Sequence, residues 1–212
     1  MAEQAYFLET NRMTMHDPAA ASRRAVLATL FAGALAPAVG MRVAAAQDSD
    51  KAAALLAAMD KATTIRQGNG RHRLYVFFDP NCPYCHQVYL QLRPLVASRD
   101  LQVHWVVLGM LTSSSEPKAA AMLQAPDRLK AFEINENDYD FAASGQPGGG
   151  ITPAATIQPQ TRRMLQRNLD IYRGQKLFGV PVLVWKRRAG GAGMSVGVPS
   201  PEQLSSLLAE LA

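Results

Sequence analysis

The sequence has little cysteine, few aromatic residues and no block of like charge. Only 2 of its 212 residues are cysteines, and aromatic residues make up 7%. Two cysteines cannot form the set of disulfides that holds a small secreted scaffold together. The 22 Lys and Arg residues outnumber the 17 Asp and Glu residues, but they are scattered and not interleaved with aromatic side chains. We therefore expect no nucleic-acid partner, and we expect the two cysteines to carry chemistry.

The N-terminal region has the layout of a secretory signal. Arg23-Arg24 opens an uncharged run that ends at Gly40, and the small residues Ala44-Ala45-Ala46 follow. A basic start, an apolar middle and an A-x-A site are typical of a cleaved signal, and the paired arginines indicate the twin-arginine route. The run is shorter than the ~20 residues of a spanning helix, which disfavours a retained anchor. We predict a signal peptide over residues 1–46, cleaved after Ala46; translation starting at Met13 or Met15 is an open alternative.

Both cysteines lie in the motif Cys82-Pro83-Tyr84-Cys85. The apolar run Leu74–Phe78 before it predicts a strand, and the apolar spacing after Cys82 predicts a helix with a buried face. At a helix N-terminus, free backbone N–H groups and the helix dipole favour an anion. There the pKa of a thiol falls from about 8.5 to roughly 3.5–7.5. We predict that Cys82 is the attacking thiolate and that Cys85, facing inward, resolves a mixed disulfide.

Other functions of this motif must be weighed. With His86 it also matches C-x-x-C-H, the pattern of covalent haem attachment, with a methionine such as Met110, Met122 or Met164 as second iron ligand. A structural bridge over two residues gains little chain entropy, and zinc normally needs four ligands, whereas the sequence has no second cysteine pair. We expect no cofactor or metal. His86 is then interpreted as a surface residue of the first helical turn that helps to hold the thiolate.

The remaining elements predict one α/β domain. We predict an N-terminal helix and linker over residues 47–70 and a domain over 71–212 with a helical and loop insertion at about 112–160. The predicted elements after the first strand and helix are a strand at 101–108 that completes a parallel βαβ unit, short helices within 118–131, a loop at 135–159, a helix at 161–179, strands at 180–185 and 194–198, and a final helix after Ser200. This order is that of a thioredoxin-like fold with a helical insertion.

Two segments resemble one family of exported proteins. The residues from Phe78 to Cys85, with Gln87 and Arg93-Pro94 downstream, resemble the DsbG/DsbC family of periplasmic thiol:disulfide interchange proteins. Gly179-Val180-Pro181 resembles the loop that faces the active site in that family, whose proline is cis. The similarity runs from about residue 50 to the C-terminus.

The resemblance implies an activity and a set of partners. It implies a periplasmic reductase or isomerase of protein disulfides or sulfenic acids. In this scheme Cys82 and Cys85 are catalytic, Pro83 and Tyr84 tune the potential, and Val180-Pro181 presents its backbone to the substrate. The implied partners are proteins with disulfides or oxidised cysteines, together with a membrane redox partner of the DsbD type.

Two departures from this family and one difference from thioredoxin shape our expectations. Its members carry an N-terminal dimerisation domain before a linker helix, whereas the match here begins near that linker, so we predict a monomer. The residue before the cis proline is usually Thr but is Val180 here, as in the oxidase DsbA, which makes an oxidase the alternative. Val76 occupies the position of the buried acid of thioredoxin. This leaves Asp79, expected in a solvent-exposed turn, as a possible proton shuttle.

Overall fold

The described part of the chain contains both helices and strands. The computed structural model describes residues 37–141 and 147–212. Most of the predicted signal peptide lies outside these residues, and cleavage after Ala46 stays a prediction. In chain order the elements are α1 (Pro37–Ala58), a short 3-10 turn (Met59–Lys61), β1 (Thr64–Gln67), β2 (His72–Phe78), α2 (Pro83–Leu92), α3 (Leu95–Ser98), β3 (Leu101–Val107), α4 (Ser115–Gln124), α5 (Arg128–Asn137), α6 (Pro159–Gly174), β4 (Val182–Lys186), β5 (Ala192–Val196) and α7 (Pro201–Glu210).

Five strands form one mixed sheet in the order β1-β3-β2-β4-β5. Strands β2 and β3 are parallel and are connected through α2 and α3, which confirms the predicted βαβ unit. The other three pairings are antiparallel. Strand β2 is therefore central, and α2 begins just beyond its C-terminal end. In open α/β sheets this end of the strands is where functional sites form.

The core is formed by the central strands and the buried face of α2. Its largest fully buried side chains include Phe77, Phe78, Tyr89, Trp105 and Phe132. Phe132 comes from α5 in the insertion, and its ring lies 5.2 Å from that of Phe78, 5.5 Å from that of Tyr89 and 4.8 Å from that of Trp105. The insertion is thereby packed into the same core as the strand and helix that flank the cysteines.

Strand β1 was not predicted. Three of its four residues, Thr64, Arg66 and Gln67, are polar, and all four lie in the segment predicted as the N-terminal helix and linker. The strand forms because it pairs with β3, placing Ile65 opposite Trp105, and because the Trp105 indole N–H donates to Gln67 Oε1 at 3.1 Å. These partners are distant in sequence, so no local pattern indicates them.

Several predicted boundaries shift. Helix α2 ends at Leu92, and Pro94 separates it from α3, which begins at Leu95. Helix α6 stops at Gly174 instead of Gly179, and β4 starts at Val182, after the Val180-Pro181 bond. Helix α5 extends to Asn137, into the predicted loop. Within residues 37–141 and 147–212, no helix is both long and apolar enough to span a membrane.

Candidate active site

The motif cysteines lie at the start of α2. Cys82 is the N-cap residue, Pro83 occupies the first turn, and the Cys85 backbone N–H donates to Cys82 Sγ at 3.3 Å. Both cysteines are free thiols, exposed by only 3% and 2%. The structure thus places Cys82 where the sequence predicted it, at a helix N-terminus, with Cys85 one turn further on the buried face.

The two thiols differ in acidity. A hydrogen bond from the Cys85 thiol, together with the backbone N–H groups of Cys85 and Tyr84, lowers the pKa of Cys82, and this outweighs the opposing effects of burial and of the Asp79 carboxylate. Burial, followed by the hydrogen bond to Cys82 and its charge, raises the pKa of Cys85 well above its ordinary value. Cys82 is therefore the more readily ionised of the two thiols, and the thiolate is the nucleophilic form of cysteine.

The loop before β4 faces Cys82. The Val180-Pro181 peptide bond is cis, as predicted, and the Cys82 thiol lies 3.5 Å from the Val180 carbonyl oxygen, to which it donates. The Tyr172 hydroxyl donates to the Gly179 carbonyl at 2.7 Å, and the Gly197 N–H donates to the Pro181 carbonyl at 2.8 Å. Neighbouring elements therefore fix this loop on both sides of Val180.

Exposed apolar side chains flank the two segments that meet at Cys82. Tyr84 is 59% exposed inside the motif, and Phe178 is 87% exposed two residues before Val180. Val196 is 55% exposed next to Gly197, whose backbone contacts Pro181. Phe178 and Val196 were not predicted, since only the fold brings them to the cysteines. Side chains of this kind can contact an apolar stretch of polypeptide.

Asp79 is buried, which corrects the expectation of a solvent-exposed turn. It is 1% exposed. Its Oδ1 accepts from the Asn81 N–H and the Ser115 hydroxyl, and its Oδ2 accepts from the Met110 and Leu111 N–H groups. Four donors match the acceptor capacity of an ionised carboxylate. Asp79 therefore fixes the turn before Cys82, and this occupancy disfavours a role as proton shuttle.

Asn81 is a second anchor of this turn and was missed by the sequence analysis. Its Nδ2 donates to the hydroxyls of Thr112, Ser114 and Ser115 at 2.7, 2.9 and 3.2 Å. The Lys118 ammonium donates to Asn81 Oδ1 at 2.9 Å, and burial lowers the pKa of Lys118. A polar cavity of about 480 Å³ opens at this point, lined by Asn81, Ser114, Lys118 and the glycines 148–150.

His86 is also buried, which corrects its assignment to the surface. It is 7% exposed, and its Nδ1 lies 3.0 Å from Glu136 Oε2. Its ring stacks on that of Tyr139, with centroids 4.4 Å apart and planes inclined by 17°. The reason is that α5 and the residues after it cover this side of α2. The contacts of the His86 ring are thus with Glu136 and Tyr139, and its part in holding the thiolate stays a prediction.

A mixed sheet with a C-x-x-C motif at the start of the helix after its central strand defines a protein with a thioredoxin-like fold. Comparison with known sequences identifies the family. The chain belongs to the thioredoxin-like domain family, which it matches over residues 59–212. The predicted thioredoxin-like fold is thereby confirmed.

Curated relatives are named as thiol:disulfide interchange proteins. DsbG of Pseudomonas aeruginosa is 30% identical over 135 residues, 64% of this chain and 50% of that protein. DsbG of Escherichia coli is 27% identical over 135 residues, 64% of this chain and 52% of that protein. The predicted kinship with DsbG is confirmed. The chain spans about half the length of these relatives.

Solved structures share the fold at lower identity. A linker-deleted variant of Proteus mirabilis ScsC has a TM-score of 0.62 and 18% identity, covering 80% of this chain and 86% of its own. The thiol-disulfide exchange protein α-DsbA2 of Wolbachia pipientis has a TM-score of 0.59 and 15% identity, covering 77% of this chain and 97% of its own. At these identities the likeness concerns the fold alone.

Proposed function

We propose that this protein is a thiol:disulfide oxidoreductase that uses Cys82 as nucleophile and Cys85 as resolving thiol. The observation that carries the proposal is the placement of two neighbouring thiols. Cys82 lies at the start of α2, where its Sγ accepts from the Cys85 N–H at 3.3 Å, and Cys85 is buried behind it. This placement lowers the pKa of Cys82 and raises the pKa of Cys85. An exchange reaction needs this asymmetry, because one sulfur must attack while the other stays protonated until the mixed disulfide has formed.

The reaction transfers two electrons. The Cys82 thiolate attacks one sulfur of a substrate disulfide, forming a mixed disulfide and releasing a substrate thiolate that takes up a proton. Cys85 then loses its proton and attacks Cys82 Sγ, which releases the second substrate thiolate and leaves a Cys82–Cys85 disulfide. With a sulfenic acid, Cys82 attacks its sulfur and the hydroxyl leaves as water after protonation.

The substrates we propose are proteins that carry disulfides or oxidised cysteines. Tyr84, Phe178 and Val196 supply exposed apolar area beside the nucleophile. The Val180 carbonyl, 3.5 Å from Cys82 Sγ, is a backbone acceptor at the point where a substrate chain must approach. An extended polypeptide can bind such a site through both its side chains and its backbone.

We further propose export to the periplasm and reduction of Cys82–Cys85 by a membrane partner of the DsbD type. The support is the signal-like N-terminus and the similarity to DsbG. One relative in fold, from Salmonella enterica, is described as a periplasmic thioredoxin-like protein. A reductase or isomerase agrees with the curated relatives, and an oxidase is the alternative that Val180 leaves open.

A c-type haem protein is the other alternative for the C-x-x-C-H pattern. It is disfavoured because His86 is only 7% exposed and its ring is stacked on Tyr139. Binding of iron through Nε2 would require this buried ring to become accessible to a haem. A Soret band that survives acid–acetone extraction of the purified protein would favour the haem alternative.

The proposal is tested by measuring the disulfide-reducing activity and the reduction potential of the purified protein. We expect the purified protein to reduce insulin disulfides, Cys82→Ala to abolish this activity, and Cys85→Ala to accumulate mixed disulfides. Equilibration in glutathione buffers then gives the reduction potential, which separates a reductase from an oxidase. Full activity of Cys82→Ala would refute the assignment.

A further inference from the structure

Glu136 is a buried carboxylate that the exchange reaction does not use. It lies on α5 and is 2% exposed. Its Oε2 is 3.0 Å from His86 Nδ1 on α2, and its Oε1 accepts from Asn135 Nδ2 at 3.0 Å. Burial of a carboxylate costs free energy unless its oxygens are hydrogen-bonded, and both oxygens of Glu136 have a partner.

The two partners of Glu136 lead to the residues just before Cys82. The Asn135 Nδ2 group also donates to the Pro80 carbonyl at 3.1 Å. His86 stacks on Tyr139, whose hydroxyl donates to the Asn81 carbonyl at 3.0 Å. The Pro80 carbonyl also accepts from the Gly149 N–H at 3.0 Å. Both carbonyls are thus held from the insertion, one in part by Asn135, which bonds Glu136, and the other by Tyr139, on which its partner His86 stacks.

The charges around this cluster come from three elements. Burial raises the pKa of Glu136, while the hydrogen bonds from His86 and Asn135 oppose the rise. Two tyrosines border the cluster. Tyr89 on α2 is influenced by Arg93, Glu133 and Glu136, and Tyr139 after α5 is influenced by Cys82, Glu136, Cys85 and Asp79. Tyr89 and Arg93 both donate to the Asn137 side chain.

We propose that Glu136 is a positioning residue for Cys82: by bridging His86 and Asn135 it holds the Pro80 and Asn81 carbonyls, and so the turn that places the thiol at the start of α2. The inference rests on the proposed function. The physical reason is that the Cys82 sulfur accepts hydrogen bonds from the Cys85 thiol and from the Cys85 N–H, the latter at 3.3 Å, and hydrogen bonds weaken steeply as distance and angle depart from their optimum. A loosened turn lets the sulfur move away from these donors.

The experiment is the pH dependence of iodoacetamide labelling at Cys82 in the reduced full chain, mapped by peptide mass spectrometry. We expect Glu136→Ala to move the midpoint to higher pH and to slow labelling at pH 7 by roughly tenfold, the equivalent of about one pKa unit. Glu136→Gln should restore much of the rate, because its amide oxygen can accept from Asn135 while its NH₂ group donates to a neutral His86. Tyr139→Phe, which removes only the donor to the Asn81 carbonyl, should show part of the shift.

Glu133→Gln is the matched control, since it removes a half-buried carboxylate from the same helix without touching the turn. Its profile should match that of the unmodified protein. If Glu136→Ala does not fold, Tyr139→Phe decides. Unchanged Cys82 profiles in the folded variants would overturn the inference. If Cys82 of the unmodified protein is itself not acidic, the proposed function fails instead, so the two failures are distinguishable.

Discussion

Cys82 and Cys85 are three residues apart, yet their surroundings change their acidities in opposite directions. Hydrogen bonds to Sγ at the helix start lower the pKa of Cys82, whereas burial raises that of Cys85. In the reduced protein, Cys82 therefore adds stability above the unfolded thiol pKa of about 8.5, and this contribution is lost as the pH falls through its folded pKa. The contribution of Cys85 has the opposite sign, being present at low pH and lost as the pH rises.

The same asymmetry predicts selective alkylation. Cys82 should reach half of its maximal labelling rate below pH ~8.5, and Cys85 should label only at much higher pH. Replacing Cys85 by Ala removes the largest cause of the lowered pKa, so the Cys82 midpoint should move to higher pH in that variant. Peptide mapping of iodoacetamide adducts across pH measures both effects. Preferential labelling of Cys85 would contradict the assignment of roles.

Asp79 and His86 show how strongly partners change the role of a residue. Both were expected at the surface, and both are buried by the insertion. Asp79 accepts four hydrogen bonds, and His86 pairs with Glu136. Each is removed from solvent and is hydrogen-bonded to a residue of the insertion, Asp79 to Ser115 and His86 to Glu136.

At the scale of elements, helix α5 links the insertion to the core. Phe132 is fully buried among the rings of Phe78, Tyr89 and Trp105. On the same helix, Asn135 contacts the turn before Cys82 and Glu136 contacts α2. The helix that buries Phe132 in the core therefore also carries polar groups that reach the site.

Phe132→Ala should therefore destabilise the fold by about 3–5 kcal/mol, the cost of emptying a buried aromatic site. Urea unfolding followed by tryptophan fluorescence measures the loss, since Trp105 contacts this ring. Ile134→Ala, at an exposed position of the same helix, is the control and should change stability by no more than about 0.5 kcal/mol. A similar small effect for Phe132→Ala would mean that α5 does not pack as described.

At the scale of the whole molecule, the monomeric state expected from the sequence stays a prediction, and so does its consequence for activity. The resemblance links isomerase activity to two facing active sites, so insulin reduction should outrun the reactivation of scrambled ribonuclease. Sedimentation gives the oligomeric state; a stable dimer at micromolar concentration that isomerises as fast as it reduces would contradict the prediction.

Local signals in the sequence were sufficient for the catalytic motif and for most of the elements. The apolar run before Cys82, the helix pattern after it and the Val180-Pro181 pair all predicted their positions. They did so because each depends on neighbouring residues: apolar periodicity, turn chemistry and the geometry of a helix start.

The tertiary structure alone decided the surroundings of the cysteines. Strand β1, the burial of Asp79 and the His86–Glu136 pair all depend on partners far along the chain, 50 positions away in the case of His86. A side chain is buried or paired only when another element packs on it, and the local sequence carries no signal for that contact. The sequence by itself therefore indicated which residues we propose to react, and the packing of the insertion determined which groups surround them.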